Sequence, residues 1–223
     1  MSIEKIDIEE MGNFFNLRAD GYEDHMKNTV KSFDKYYELI SHPMKYTKER
    51  ISILDLGCGT GLEIEYILKK APNAEITCID LSKGMLNILE KKYKDNKNQI
   101  NIINESYLEY PFNKCKYDYI FSVMTMHHFL YDEKLNLYKK IKQSLKTNGM
   151  YIEGDYVVDE EHEEFCLERR EALLKDIKYD KSKIYHIDIP FSFKTQKKLF
   201  KEAGFNDFNM VFSQGEHQIY TVK

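Results

Sequence analysis

Residues 53–64 read ILDLGCGTGLEI, and this stretch decides the fold. Ile51 to Leu56 is an apolar run with one acid, Asp55, the pattern of a buried parallel strand. It breaks into Gly57, Gly59 and Gly61, after which Leu62, Ile64, Ile67 and Leu68 recur at helical spacing. Strand, glycine turn and helix in one line make a ligand cradle. Glycine lets the backbone turn with positive φ and lets a ligand sit against bare main chain. The first amides of the following helix then face that ligand.

Spacing narrows the ligand. A dinucleotide fingerprint is G-x-G-x-x-G, whose last small residue packs helix on strand. Here the glycines run G-x-G-x-G, and the sixth position is Leu62. A second apolar run, Ile76 to Ile79, ends at Asp80, about where an acid accepts hydrogen bonds from ribose hydroxyls. The pattern is that of a nucleoside site without a clear pyrophosphate loop. It resembles the class I S-adenosylmethionine-dependent methyltransferases. Asp55 to Gly61 (DLGCGTG) matches their first motif, and Asp80, Leu81 and Ser82 match the second.

The totals agree with an ordinary globular chain. Its 223 residues suit one domain with a full core, and 42% are apolar against 31% charged. A net charge of −4 favours no broad phosphate contact, which weighs against nucleic-acid substrates. No apolar run approaches the ~20 residues of a membrane helix. The opening MSIEKIDIEE is acidic and lacks a signal-peptide core, so a cytoplasmic setting is expected. Cys58, Cys78, Cys115 and Cys166 show no C-x-x-C spacing and read as free thiols.

Outward from the glycine turn, strands are expected at 51–56, 75–79, 100–103, 117–123 and 150–153, with helices between. That alternation gives an α/β fold with a parallel sheet and right-handed crossovers. Helix A, at about 60–70, stops at Ala71-Pro72-Asn73; helix B follows an N-cap at Ser82 and runs to about Lys94. Asp132 is expected to cap a helix to about Lys146, ended by Asn148-Gly149. Asp159 to Asp176 reads as a charged helix and KIYHIDIPFSF as an irregular piece. A helix over 195–203 precedes a hairpin formed by 208–212 and 218–222. The resemblance implies a doubly wound, mostly parallel, seven-stranded sheet in a single domain over 1–223. Within it, 1–50 is a helical lid, 51–155 the cofactor-binding core, 156–193 a substrate-side insertion, and 194–223 the terminal helix and β-hairpin.

Ligands of such sheets bind at the carboxyl ends of the strands, which collects Gly57, Gly59, Asp80, Ser106, Ser122 and Asp155 on one rim. By the resemblance the cofactor is S-adenosylmethionine. Leu81 and Met85 then lie at the adenosine, although Met85 reads equally as plain core. The family often has an acid where Ser106 stands; Ser106, Glu105 or the main chain of Tyr107 are the available substitutes. The lid segment FFNLRADGYEDHM resembles the family's leader, which would set Arg18 on the methionine carboxylate and Tyr22 beside the methionine arm. Arg18 reads equally as a surface ion pair.

His127 and His128 follow strand four in an S-x-x-x-x-H-H stretch and are the candidate bases; the bland alternative is a helix-start pair. His186 and Asp188 are candidate substrate contacts. No metal is expected, since His186 with Asp155 or Asp188 shows no ligand spacing. The fourth motif lacks both an N-P-P-Y run and a Pro-Cys nucleophile, which argues against nucleobase chemistry and for a small-molecule acceptor. Tyr156, Phe165, Tyr185, Phe191 and Phe193 are expected to wall its pocket. Two other classes stay open: a non-catalytic sensor or scaffold binding the same cofactor, and a nicotinamide oxidoreductase, disfavoured by Leu62.

Overall fold

The computed structural model describes residues 8–175, 180 and 183–223. Its apolar runs become strands because most are buried on both faces: β1 (Ser52–Leu56), β2 (Glu75–Asp80), β3 (Ile100–Asn104) and β4 (Tyr117–Val123) lie parallel, with β5 (Leu145–Tyr156) beside β4. A hairpin of β6 (Phe208–Gln214) and β7 (His217–Val222) closes the sheet, β7 running antiparallel to both β5 and β6. The order β3-β2-β1-β4-β5-β7-β6 reverses direction between β1 and β4. The crevice at that switch point, outside the strand ends, is where open α/β sheets bind ligands. The glycine turn leaves β1 there.

Three short helices, α1 (Met11–Arg18), α2 (Tyr22–Thr29) and α3 (Phe33–Ile40), precede the sheet, where one or two were expected. The sheet's flanking helices are α4 (Ile64–Lys70), α5 (Lys83–Lys92), α6 (Tyr131–Ser144), α7 (Glu160–Lys175) and α8 (Phe193–Glu202). Asp176, the expected end of α7, lies outside the described residues. No helix among the described residues is long and apolar enough to cross a membrane.

Two local expectations give way. Asp132 does not cap α6; the Glu133 carboxylate accepts from the Leu130 amide at 2.9 Å. Asn148-Gly149 does not end α6 either. The helix stops at Ser144 and β5 starts at once, so the pair falls inside β5 where the register with β4 slips between Tyr117 and Tyr119. A Cβ on Gly149 would stand 2.9 Å from the Tyr117 carbonyl, so the glycine there serves a bulge.

The lid is fixed by packing and by capping. Tyr36, Tyr37 and Ile40 on α3 are buried. A Cβ on Gly154 would come within 2.5 Å of Ile40 Cδ1 and 2.6 Å of Tyr36 Oη, so α3 lies directly on β5. Asn16 Oδ1 on α1 accepts from the Gly84 amide at 2.8 Å and from Ser82 Oγ at 2.9 Å, meeting donors at the start of α5. Glu23 on α2 accepts from Thr60 Oγ1 at 2.9 Å and pairs with Lys92 at 3.0 Å. The glycine turn and α5 thus both carry the roof.

Candidate active site

The site starts at the glycine turn. Gly57 sits at φ +68°, and a Cβ there would stand 2.5 Å from Thr125 Oγ1. No other residue fits both constraints without a shift. Gly59, at φ +50°, meets only Tyr22 Cε1 at 3.7 Å, so this turn opens onto the roof. The Gly59 amide donates to Asp80 Oδ2 at 2.9 Å, and the Ser82 amide to Asp80 Oδ1 at 2.7 Å. Burial raises the Asp80 pKa and those amides work against it.

Beneath the turn lie two more acids. Asp55 is fully buried and Glu63 nearly so, and neither Asp55 oxygen has a hydrogen-bond partner when read as an acceptor. Two carboxyls crowded in the core favour holding one proton over carrying two charges. Burial, then the charge of Glu63, raises the Asp55 pKa well above its ordinary value; burial also raises that of Glu63.

A cleft of about 570 Å³ runs over the turn. Tyr22, Gly57, Gly59, Asp80, Leu81, Met85, Ser106 and Tyr107 all line it. Tyr107 Oη and Thr125 Oγ1 share a hydrogen bond at 2.7 Å, and Ser106 Oγ accepts from the Leu108 amide. Two expected contacts lie elsewhere. Ser122 is fully buried, and its hydroxyl bonds Tyr151 Oη at 2.6 Å. Ser122 is register partner to Glu153, whose buried carboxylate also accepts from Tyr138, Tyr151, Tyr220 and Gln196. The hydroxyl therefore belongs to a polar knot in the core. Arg18 takes its surface reading: both terminal nitrogens bond the Glu9 carboxylate, the closer at 2.7 Å, and the guanidinium lies 3.7 Å over the Phe14 ring.

Met11, Phe15, Met124, Thr125, Phe129 and Ile184 complete the cleft and were missed. Met124 adopts φ +54°, unusual for a residue with a side chain. Its amide still donates to the Gly154 carbonyl at 2.8 Å, so the β4–β5 pairing holds the conformation in place. Nothing in the sequence marks it.

Phe15, Tyr22, Met124 and His128 also face a larger chamber, about 1310 Å³ with the solvent at its mouth. His127, His186, Asp188 and Tyr156 line its far side. Of the other aromatics expected there, Phe191 is core and Phe165 and Phe193 are exposed; Tyr185 bridges to Glu10 on the lid side. The loop carrying His186 and Asp188 is pinned from both directions. The Met11 amide donates to Ile184, His186 to Glu9, and Ile189 to the His127 carbonyl.

His127 Nδ1 lies 2.5 Å from Asp155 Oδ1. Burial lowers the His127 pKa, yet the Asp155 charge and hydrogen bond outweigh it and leave it raised. His127 Nε2 and His128 Nδ1 lie 3.7 and 3.2 Å from Asp188 Oδ1. Burial and then His127 lower the His128 pKa, and burial and then His128 bring that of His186 down to about 4. Burial opposes ionisation of Asp188, but the histidines hold its carboxyl well below the usual range.

Comparison with known proteins bears on what the chain binds. A methyltransferase domain family matches residues 53–149, the glycine turn through the start of β5. These residues therefore carry a methyltransferase domain. The methyltransferase is 24% identical to carboxy-S-adenosyl-L-methionine synthase of Nautilia profundicola over 92% of its own length and 91% of that protein's. It is 31% identical to malonyl-[acyl-carrier protein] O-methyltransferase 1 of Ilyobacter polytropus over 65% of its length, spanning 51% of that enzyme. Its fold matches the DhpI-SAM-HEP complex with a TM-score of 0.68 at 13% identity, covering 95% of this chain and 94% of that one. It also matches Haemonchus contortus phosphoethanolamine N-methyltransferase 2 in complex with S-adenosyl-L-methionine, at TM-score 0.61 and 16% identity, covering 85% and 52%. The cleft of the methyltransferase fits an adenosyl cofactor on its own terms: a turn open at Gly59, a carboxylate at the strand end beside it, and an apolar edge at Leu81 and Met85.

Proposed function

We propose that the methyltransferase binds its cofactor in the glycine-turn cleft and a small acceptor in the adjoining chamber, with transfer at the boundary between them. The cofactor, when bound, supplies a methyl group on a sulfonium for in-line displacement. In this reading Asp80 accepts from the ribose hydroxyls, Gly57 and Gly59 present main chain, and Leu81, Met85, Ser106 and Tyr107 surround the base. Tyr22 and Met124 occupy the partition, and His127 and His128 are the catalytic pair on the acceptor side. The carrying observation is the pair of cavities joined through Phe15, Tyr22, Met124 and His128. Aligning two reactants across such a boundary supplies roughly 7–11 kcal/mol of rate acceleration. The lid excludes water from the adenosine side, and a net charge of −4 favours small acceptors over nucleic acid.

The test is transfer of a labelled methyl group to a panel of oxygen, nitrogen and sulfur acceptors. Malonyl thioesters belong in it, because one relative is named for methylating malonyl-[acyl-carrier protein]. Label appearing in an acceptor, and lost in Tyr22→Ala, is the expected result. Tight S-adenosylhomocysteine binding with no transfer across the panel overturns the enzyme reading in favour of a sensor.

A further inference from the structure

We propose that His127, His128 and Asp188 form a binding site for one first-row divalent metal ion in the wall of the acceptor chamber. One ligand atom from each lies within 4.8 Å of the others. Metal–nitrogen and metal–oxygen bonds of about 2.0–2.2 Å place neighbouring ligand atoms roughly 3.0–3.4 Å apart. His128 Nδ1 and His127 Nε2 stand 3.2 and 3.7 Å from Asp188 Oδ1, so small side-chain adjustments close the shell.

Two independent features point the same way. His128 is 8% exposed, and its Nδ1 has no hydrogen-bond partner, although a carboxylate oxygen stands nearby. A buried nitrogen left so calls for an explanation, and an ion between it and Asp188 provides one. The second feature is Asp155. Its 2.5 Å contact with His127 Nδ1 favours a proton on that nitrogen, so that the neutral ring offers its Nε2 lone pair to the cluster. Carboxylate–histidine pairs behind a metal work this way, fixing tautomer and ring orientation together. His186 Nε2, 3.8 Å from the same Asp188 oxygen, is the next donor available. Its ring is stacked on Phe14 at 3.5 Å, which ties the lid to the cluster.

The donor set chooses the ion. Imidazoles with a carboxylate suit zinc, manganese, iron, cobalt or nickel rather than calcium or magnesium. Three protein ligands leave coordination positions facing the chamber. An acceptor bound there would be oriented, and its attacking oxygen would shed its proton more readily. This acceptor role rests on the methyl-transfer reading; the binding of the ion does not.

The experiment uses untagged, chelator-stripped protein titrated with Co²⁺ and Zn²⁺, without cofactor or acceptor. One Co²⁺ per chain with visible d–d bands, displaced by Zn²⁺, is expected. His128→Ala and Asp188→Asn lose the bands, and Asp155→Asn weakens binding about 10–100-fold. Each variant is also melted with S-adenosylhomocysteine; a retained rise shows the cofactor cleft intact. No stoichiometric uptake by the unaltered protein, or undiminished uptake by a His128→Ala variant that keeps its cofactor response, overturns the site. Methyl transfer that persists under chelation sinks the acceptor role and leaves the methyltransferase reading standing.

Discussion

Replacing Asp80 with Asn separates two jobs that this carboxylate performs. It braces the glycine turn through the Gly59 and Ser82 amides, and it faces the cleft where ribose hydroxyls would donate. Hydrogen bonds to a charged group contribute about 1.5–3 kcal/mol each, so losing the charge behind two hydroxyls costs roughly 3–6 kcal/mol of cofactor affinity. That is about 10²–10⁴-fold in Kd. Ligand at 100 times its Kd stabilises the native state by about 2.7 kcal/mol, whereas after a 100-fold loss of affinity the same concentration gives only about 0.4 kcal/mol. For a chain of this size each kcal/mol moves Tm by about 2–4 °C, so the S-adenosylhomocysteine shift should fall from roughly 5–11 °C to about 1–2 °C. Calorimetric titration gives Kd directly. An unchanged ligand shift in a variant whose unliganded Tm has dropped would show that Asp80 only braces the turn.

Three further outcomes follow from the packing. The Asp55–Glu63 pair has raised pKa values in the folded state, so the folded chain keeps a proton that the unfolded chain gives up. Stability therefore declines as pH rises from about 4 toward the folded pKa. Asp55→Asn, which donates to Glu63 without a shared proton, should raise the urea midpoint above neutral pH and flatten that decline; equal pH profiles would refute the shared proton. Asn16→Ala removes the oxygen that caps the Gly84 amide at the start of α5, and should lower cofactor affinity about 5–30-fold, at 1–2 kcal/mol for a lost cap, read by titration calorimetry. Gly154→Val drives side-chain atoms into Ile40 and Tyr36 and should lower Tm through about 1–3 kcal/mol of overpacking; an unchanged Tm would mean that α3 is not seated as described.

What the sequence disclosed was what local chemistry encodes. The glycine turn and Asp80 are adjacent strand ends, so their spacing brings them to one cleft, and Leu81, Met85, Ser106 and Tyr107, named from the family resemblance, line the same cleft. Ser122 misled because adjacency along β4 does not settle which face a side chain takes; pairing with Glu153 turned it into the core. Arg18 had two equal readings; it pairs with Glu9, nine residues earlier, while its side chain also borders the larger chamber. Met124 needed a backbone conformation that no residue type announces. The histidine cluster was legible in parts only. His127 and His128 are neighbours in sequence, but Asp188 reaches them through a loop clipped to the lid, and no spacing rule spans that distance.

The roof over the adenosyl cleft is fastened to the floor. Asn16 holds the start of α5, and Glu23 holds Thr60 at the glycine turn. If the cofactor binds beneath them as proposed, its release requires those clasps to part, and weakening them should speed release. Asn16 and Glu23 lie outside the lining of both cavities, so the strength of the clasps can be edited without touching either.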